Sequence, residues 1–272
     1  MDDIALNDRV VIVTGGSRGL GRIMATALAR AGARVVLASP ETDALQKVAE
    51  EIECIVGKGR TIAIPTDITK REQCEALLAE CKRAFGGAHV LVNNAKRLSR
   101  GPGLPATGNS LPFWESNPEI WRETVDVNVS GTFLMSRTFA PHFIAQRWGR
   151  IINITTSLQT MRRRNNSPYG VTKAALEAAT TIWAQDLADT GVTVNSLIPG
   201  GAVDLEPGFR EHREGIGELQ PPDVMNPVII WLASDLSDGK SGGRYVGKLW
   251  DPSLPSGEAA SRAVEPPVMR TQ

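Results

Sequence analysis

Tyr169 and Lys173 lie four residues apart in the stretch NITTSLQTMRRRNNSPYGVTK, residues 153–173. On a helix that spacing puts both side chains on one face. A tyrosine with an ordinary pKa of about 10 exchanges protons poorly at neutral pH. A neighbouring ammonium favours the phenolate and suits the pair to proton transfer at an oxygen. Upstream stand four hydroxyls, on Thr155, Thr156, Ser157 and Thr160, each a donor and an acceptor for a reacting group. Three adjacent cations, Arg162, Arg163 and Arg164, lie between. They read either as a solvated loop or as a grip on an anionic substrate. Taken alone, the Tyr–Lys pair also describes an ordinary exposed helix face.

The flanking chain supplies a scaffold for such a group. Short runs rich in Val and Ile predict strands at 9–14 (RVVIVT), 34–38 (RVVLA), 61–65 (TIAIP), 89–93 (HVLVN), 150–155 (RIINIT) and 192–198 (VTVNSLI), with a weaker one near 244–247. Continuous apolar runs suit strands covered on both faces. Amphipathic stretches alternate with them. Thr69 and Glu72 have capping-box spacing, and Asn117 before Pro118 reads as a helix start. The alternation predicts an α/β fold: one doubly wound parallel sheet of about seven strands with helices on both faces. No linker or repeat divides residues 1–272, which read as a single dinucleotide-binding and catalytic domain. From about residue 250 a proline-rich tail follows, expected as an extension outside the core.

The first strand runs into TGGSRGLG, residues 14–21. Glycines at 15, 19 and 21 permit a tight turn and close approach to a pyrophosphate, and the following helix offers free N–H groups and a positive dipole end. The spacing differs from the common G-x-G-x-x-G fingerprint, so the loop is a moderate signal taken singly.

TGGSRGLG, LVNNA at 91–95, Asn128 in DVNVSGTF, YGVTK at 169–173 and IPGG at 198–201 occur in the order found in the short-chain dehydrogenase/reductase family. The resemblance spans roughly residues 6–247. It implies that Tyr169 handles the proton of a carbonyl/alcohol pair, that Lys173 supports it and holds the nicotinamide ribose, and that Asn128 anchors a water linked to the lysine. It also implies a catalytic hydroxyl about thirteen residues before the tyrosine. That count, and the alignment of RIINITT, both give Thr156; Ser157 is the serine and lies one residue later. Both remain candidates. The cofactor-binding set implied is Gly15, Ser17, Arg18, Gly19, Leu20, Gly21, Ser39, Asp67, Ile68, Asn94, Ala95, Lys96, Tyr169, Lys173, Pro199, Gly200 and Val203. The expected partners are a small carbonyl or alcohol and further copies of the chain, as a homotetramer built on helices near 118–147 and 168–190.

Members that prefer NAD usually carry an acid at the end of the second strand. Ser39 stands there, and Arg18 sits as in NADP-using relatives, so NADP(H) is the expected cofactor. Ser39 before Pro40 also reads as a helix cap, and Asp67 as a cap before Thr69. Two departures fall near the cofactor: Lys96 in place of a glycine, and Asp204 where a threonine is usual. The glycine pair that usually follows the last strand is also missing. Rival readings of the same fold are a cofactor-binding sensor without turnover and a dehydratase or epimerase.

The formal net charge is zero, which gives no general pull toward nucleic acid or an anionic membrane, and no apolar run approaches a membrane span. The start of the chain lacks signal-peptide character. Cys54, Cys74 and Cys81 have no metal or redox spacing and read as buried reduced thiols, which fits a cytoplasmic protein. His89, His142 and His212 likewise lack metal spacing.

Overall fold

The computed structural model describes residues 4–6, 8–98, 111–205 and 219–266. His212 lies outside them. In β1 (Val10–Thr14) every residue is buried, but the pleat sends alternate side chains to opposite faces. Val11 and Val13 enter one core; Val10 and Ile12 enter the other. A strand covered on both sides has no polar face to show, hence the continuous apolar run. Burial is worth ~1.5–3 kcal/mol for each such side chain.

The first core is covered by α1 (Gly19–Arg30), α2 (Thr42–Val56), α8 (Asn226–Ala233) and α9 (Ser256–Ala263). The second is covered by α3 (Arg71–Phe85), α5 (Thr132–Ala145) and α7 (Tyr169–Asp186). Between them run β2 (Arg34–Ser39), β3 (Thr61–Pro65), β4 (Val90–Asn93), β5 (Gly149–Ile154), β6 (Val192–Ile198), β7 (Arg244–Val246) and β8 (Val264–Glu265). The order across the sheet is β3-β2-β1-β4-β5-β6-β7-β8. Every neighbouring pair is parallel except β7 with β8.

The expected doubly wound sheet is present, with eight strands where about seven were expected. The additional one, β8, pairs Arg244 with Glu265 and Tyr245 with Val264, too short a match to leave a periodic signal. The tail is likewise more than an outlying extension: Ala260 and Ala263 of α9 pack into the first core. Small residues hide that burial from a hydropathy pattern.

Three local expectations change. The Thr69–Glu72 capping box does not form. Asp67 instead accepts from the Thr69 backbone N–H at 2.9 Å and its hydroxyl at 2.7 Å, while Gln73 accepts from the Asp67 N–H at 2.7 Å. A carboxylate outcompetes a hydroxyl as acceptor. Ser39 is the last residue of β2 and does not cap α2, which starts three residues later, after Glu41. Cys74 and Cys81 are buried, with thiols pushed up to about 11 and about 12 by desolvation, but Cys54 is exposed. Asn117 does cap α4 (Pro118–Val125), its side chain accepting from the Glu119 N–H at 2.8 Å.

Candidate active site

Strands β1 and β4 are sheet neighbours although α1 leads from β1 toward β2 on the other side. Connections diverge at such a switch point, leaving a crevice at the carboxyl ends of the strands. The chain returns there repeatedly: Gly15 after β1, Ser39 ending β2, Asp67 and Ile68 after β3, Asn94 to Lys96 after β4, Thr156 after β5, and Pro199 to Val203 after β6.

The phosphate loop is shaped to exclude side chains. Gly15 and Gly19 have φ of +64° and +54°. A Cβ at Gly21 would lie 2.2 Å from the Gly15 carbonyl oxygen, and one at Gly15 would lie 2.9 Å from the Ala95 Cα. Asn94 staples this loop to β4: its side-chain amide donates to the carbonyls of Thr14 at 2.8 Å and Gly15 at 3.2 Å. The Thr14 hydroxyl accepts from the N–H groups of Asn94 and Ala95, both at 3.0 Å. Leu20 packs on the first core and anchors the helix start. Backbone N–H groups at the start of the twelve-residue α1 thus face the crevice, as a pyrophosphate requires. These residues fit a dinucleotide.

At the end of β2 the structure supplies a group that the sequence reading did not count. The Glu41 carboxylate accepts from the hydroxyls of Ser39 and Ser17 and from the guanidinium of Arg18. Its pKa is held below the usual carboxylate range, first by the Ser39 hydroxyl and further by Arg18 and Ser17. An acid therefore does stand beside Ser39, reaching back from the helix start. Ile68 is buried against Gly131, in whose place a Cβ would come within 2.7 Å of it, and Asp67 is engaged in the turn already described. Gly200, at φ +92°, lies against Lys248 and Val246; Pro199 accepts from the Lys248 N–H at 3.0 Å. Val203 is buried and bridges to Gln220, whose carbonyl accepts from the Asp204 N–H at 3.0 Å.

Tyr169 opens α7, and Lys173 follows one turn on with its Nζ 5.9 Å from the phenol ring centre. Lys173 is 2% exposed, and its ammonium donates to the Ile154 carbonyl at 2.7 Å. Desolvation lowers its pKa to about 7; repulsion from Lys96 adds to this and Glu177 opposes it. Desolvation likewise pushes the Tyr169 phenol up to about 12. Lys96 has an exposed surface, and desolvation among its neighbours lowers its pKa too. Its backbone is pinned on both sides, by Thr14 holding Ala95 and by Asn128 holding Arg97.

Asn128 is fully buried within a π-helical segment, Asp126–Gly131. Its amide accepts from the Arg97 N–H at 2.7 Å and donates to the Arg97 carbonyl at 3.1 Å and the Thr172 hydroxyl at 3.0 Å. It thereby ties the segment after β4 to α7. The two candidate hydroxyls part company. Ser157 caps the short helix α6 (Leu158–Met161): its Oγ accepts from the Thr160 N–H at 3.2 Å and donates to the Thr160 hydroxyl at 2.9 Å. Thr156 takes no part in that cap, and its carbonyl accepts from Arg244 at 3.2 Å. Arg162, Arg163 and Arg164 are all exposed, and Asn166 spends its side-chain amide on the Thr160 carbonyl at 2.6 Å.

Sequence reasoning missed Glu41, Glu177 and Arg244. Glu177 was within reach, since it continues the four-residue spacing from Tyr169 and Lys173. Glu41 was also within reach, two residues past Ser39, whereas Arg244 comes to the site by tertiary packing alone. Among the described residues no cluster of His, Cys, Asp or Glu could hold a metal ion, and no helix is long and apolar enough to cross a membrane.

Comparison with known proteins agrees with this geometry. The family model described as short chain dehydrogenase matches residues 9–206. A short-chain type dehydrogenase/reductase of Picea abies is 35% identical over 251 residues, covering 85% of this chain and 87% of its own. The crystal structure of a 3-ketoacyl-(acyl-carrier-protein) reductase from Brucella melitensis complexed with NADH superposes with a TM-score of 0.76 at 29% identity, covering 88% of this chain and 96% of that one. A metagenomic short-chain oxidoreductase in complex with NADP gives 0.69 at 28% identity, over 85% and 92% of the two chains.

Proposed function

This chain belongs to the short-chain dehydrogenase/reductase family, and we propose that within it the protein interconverts a carbonyl compound and its alcohol with Tyr169 as the proton-handling group. It is an NAD(P)-dependent oxidoreductase. The observation that carries the proposal is the buried Lys173 ammonium 5.9 Å from the Tyr169 ring centre.

Residues 15–21 would hold the pyrophosphate, Asn94, Ala95 and Lys96 the wall beside it, and Pro199, Gly200 and Val203 the far side. The nicotinamide supplies or accepts the hydride. Tyr169 gives a proton to the carbonyl oxygen, or takes it back from the alcohol. Lys173 favours the phenolate and steadies the ribose; Thr156 donates to the same substrate oxygen while Ser157 serves as a cap. Asn128 holds the two walls in register.

The preference between cofactors turns on Arg18 and Glu41. Ser39 and Arg18 support NADP(H), since a guanidinium grips a phosphate well. Glu41 supports NAD(H): its ionised carboxylate accepts from a ribose hydroxyl, repels a 2′-phosphate and already occupies Arg18. We take NAD(H) as the reading the site supports better.

An anionic or carrier-linked substrate is the finer reading of Arg162 to Arg164, supported by the Brucella reductase, whose name states such a substrate. Exposed apolar side chains on the helices expected at the interface, among them Phe133, Ile144, Val171 and Ile182, support a homotetramer. Unpaired cysteines support a cytoplasmic location.

The test is a panel of aldehydes, ketones, a 3-ketoacyl thioester and the matching alcohols, followed by nicotinamide absorbance with both cofactors. Tyr169→Phe should lose nearly all turnover with cofactor affinity kept. Cofactor binding without turnover across the panel would favour a sensor, and conversion of substrate without net cofactor consumption a dehydratase or epimerase.

A further inference from the structure

Three consecutive residues leave β5 toward the substrate side, and each is held by a different charged group. Lys173 donates to the Ile154 carbonyl at 2.7 Å. The Thr155 hydroxyl donates to the Glu177 carboxylate. Arg244 donates from Nη2 to the Thr156 carbonyl at 3.2 Å. Lys173 and Glu177 are one turn apart on α7, so a single helix face grips the first two. The third grip comes from β7.

Arg244 is 2% exposed, and a guanidinium so buried demands partners on its whole fork. Its Nε donates to Glu177 Oε1 at 3.3 Å, and its Nη1 to the Glu265 carboxylate. Glu177 is itself buried and also accepts from the Ser196 hydroxyl at 3.1 Å. Glu265 belongs to β8, the antiparallel strand near the end of the chain, directly opposite Arg244. The fork is planar and rigid, so two carboxylates at Nε and Nη1 dictate where Nη2 points. It points at the backbone of Thr156.

We infer that Arg244 and Glu265 are positioning residues for the catalytic hydroxyl, and that the C-terminal strand β8 therefore belongs to the support of the active site. This rests on the reading of Thr156 given above. A hydroxyl carried on a loop misses a reacting oxygen when its backbone slides by a fraction of the strand spacing. Three fixed carbonyl and hydroxyl anchors before the loop prevent that. Glu265 has the weakest hold in the cluster, since its side chain is 42% exposed, so the clamp can be loosened there without opening the core.

The experiment compares the unmutated full chain with Glu265→Gln, Glu265→Asp and Arg244→Lys. Amide hydrogen exchange is followed across residues 154–158, where the Thr155 N–H donates to the Leu197 carbonyl at 3.0 Å in the unmutated protein. Glu265→Gln and Arg244→Lys should raise exchange in that segment and lower kcat by roughly ten- to a hundredfold on the fastest carbonyl of the panel, as small misplacements do. The dissociation constant for NADH, read by fluorescence titration, should stay within about twofold because the phosphate loop is untouched. Glu265→Asp should restore part of the loss, and Glu265→Gln should add nothing to Thr156→Ala, since a missing hydroxyl cannot be misplaced. Unchanged exchange at 154–158 in Glu265→Gln would overturn the clamp. Raised exchange with Thr156→Ala fully active would keep the clamp and instead remove Thr156 as the catalytic hydroxyl.

Discussion

Arg18, in the phosphate loop, and Glu41, after β2, form an ion pair of 3.2 Å. In the proposed site the guanidinium would favour a 2′-phosphate and the carboxylate would oppose one, so neither side chain can be read without the other. Ser39, which stands where NAD-preferring relatives place an acid, donates to Glu41 and holds it in position.

The cofactor preference should therefore reverse when the carboxylate is removed. Glu41→Gln should raise kcat/KM with NADPH relative to NADH by about tenfold or more, because Arg18 is released to a charge-assisted contact. Arg18→Ala in the same background should cancel the gain. A ratio that does not move in Glu41→Gln contradicts the assignment.

The two hydroxyls should fail in different ways. Thr156→Ala should lower kcat by about a hundredfold or more, the usual cost of losing one donor to a reacting oxygen. Ser157→Ala removes a helix cap and should cost about 1 kcal/mol of stability, with a much smaller effect on kcat. Thermal denaturation and steady-state kinetics on both variants decide; the opposite order of damage would give the role to Ser157.

Lys96 should shift the alkaline limit of the reaction. Burial first, and then Lys96, lowers Lys173 to about 7, so the ammonium that assists Tyr169 is lost as pH rises through that value. Lys96→Met removes the repulsion and should move the alkaline limb of kcat/KM to higher pH, since that profile reports groups of the free enzyme. A limb that stays in place would show that Lys96 does not act on Lys173.

Acid should destabilise the fold through His89. Its Nδ1 accepts from the Val10 N–H at 3.0 Å, and burial, then Arg9 and His142, lower its pKa from 6.5 to about 4. The unfolded chain binds a proton on this ring at a higher pH than the folded one does. Stability is thus intact above 6.5 and is lost as pH falls from there to about 4, by on the order of 3 kcal/mol. His89→Gln, which keeps an acceptor for Val10, should flatten the slope of urea stability across that window.

The arginine triplet has its own test. Neutralising Arg162 and Arg164 should raise KM for an anionic substrate such as acetoacetyl-coenzyme A, and added salt should do the same to the unmutated protein. A KM unmoved by both treatments leaves the three exposed cations as a solvated loop.

What the sequence determined by itself is what short range dictates. The buried strands announce themselves because each is covered on both faces, and the Tyr169–Lys173 pair is visible because helical spacing is local. The glycines at 15 and 21 mark a turn that no side chain could enter. What escaped were features made by residues far apart. β8 pairs over two positions and carries no pattern; α9 buries alanines that hydropathy barely registers. Glu41 is the exception: it stands two residues past Ser39, and only the turn into α2 shows its carboxylate directed back onto Ser39 and Ser17. Arg244 stands 88 residues from the Thr156 carbonyl it holds. Charge and hydrogen bonding act over a few ångströms of space regardless of separation along the chain. The cap made by Ser157, the contacts of Glu41 and the hold of Arg244 on the Thr156 carbonyl were therefore formed only when the chain closed on itself.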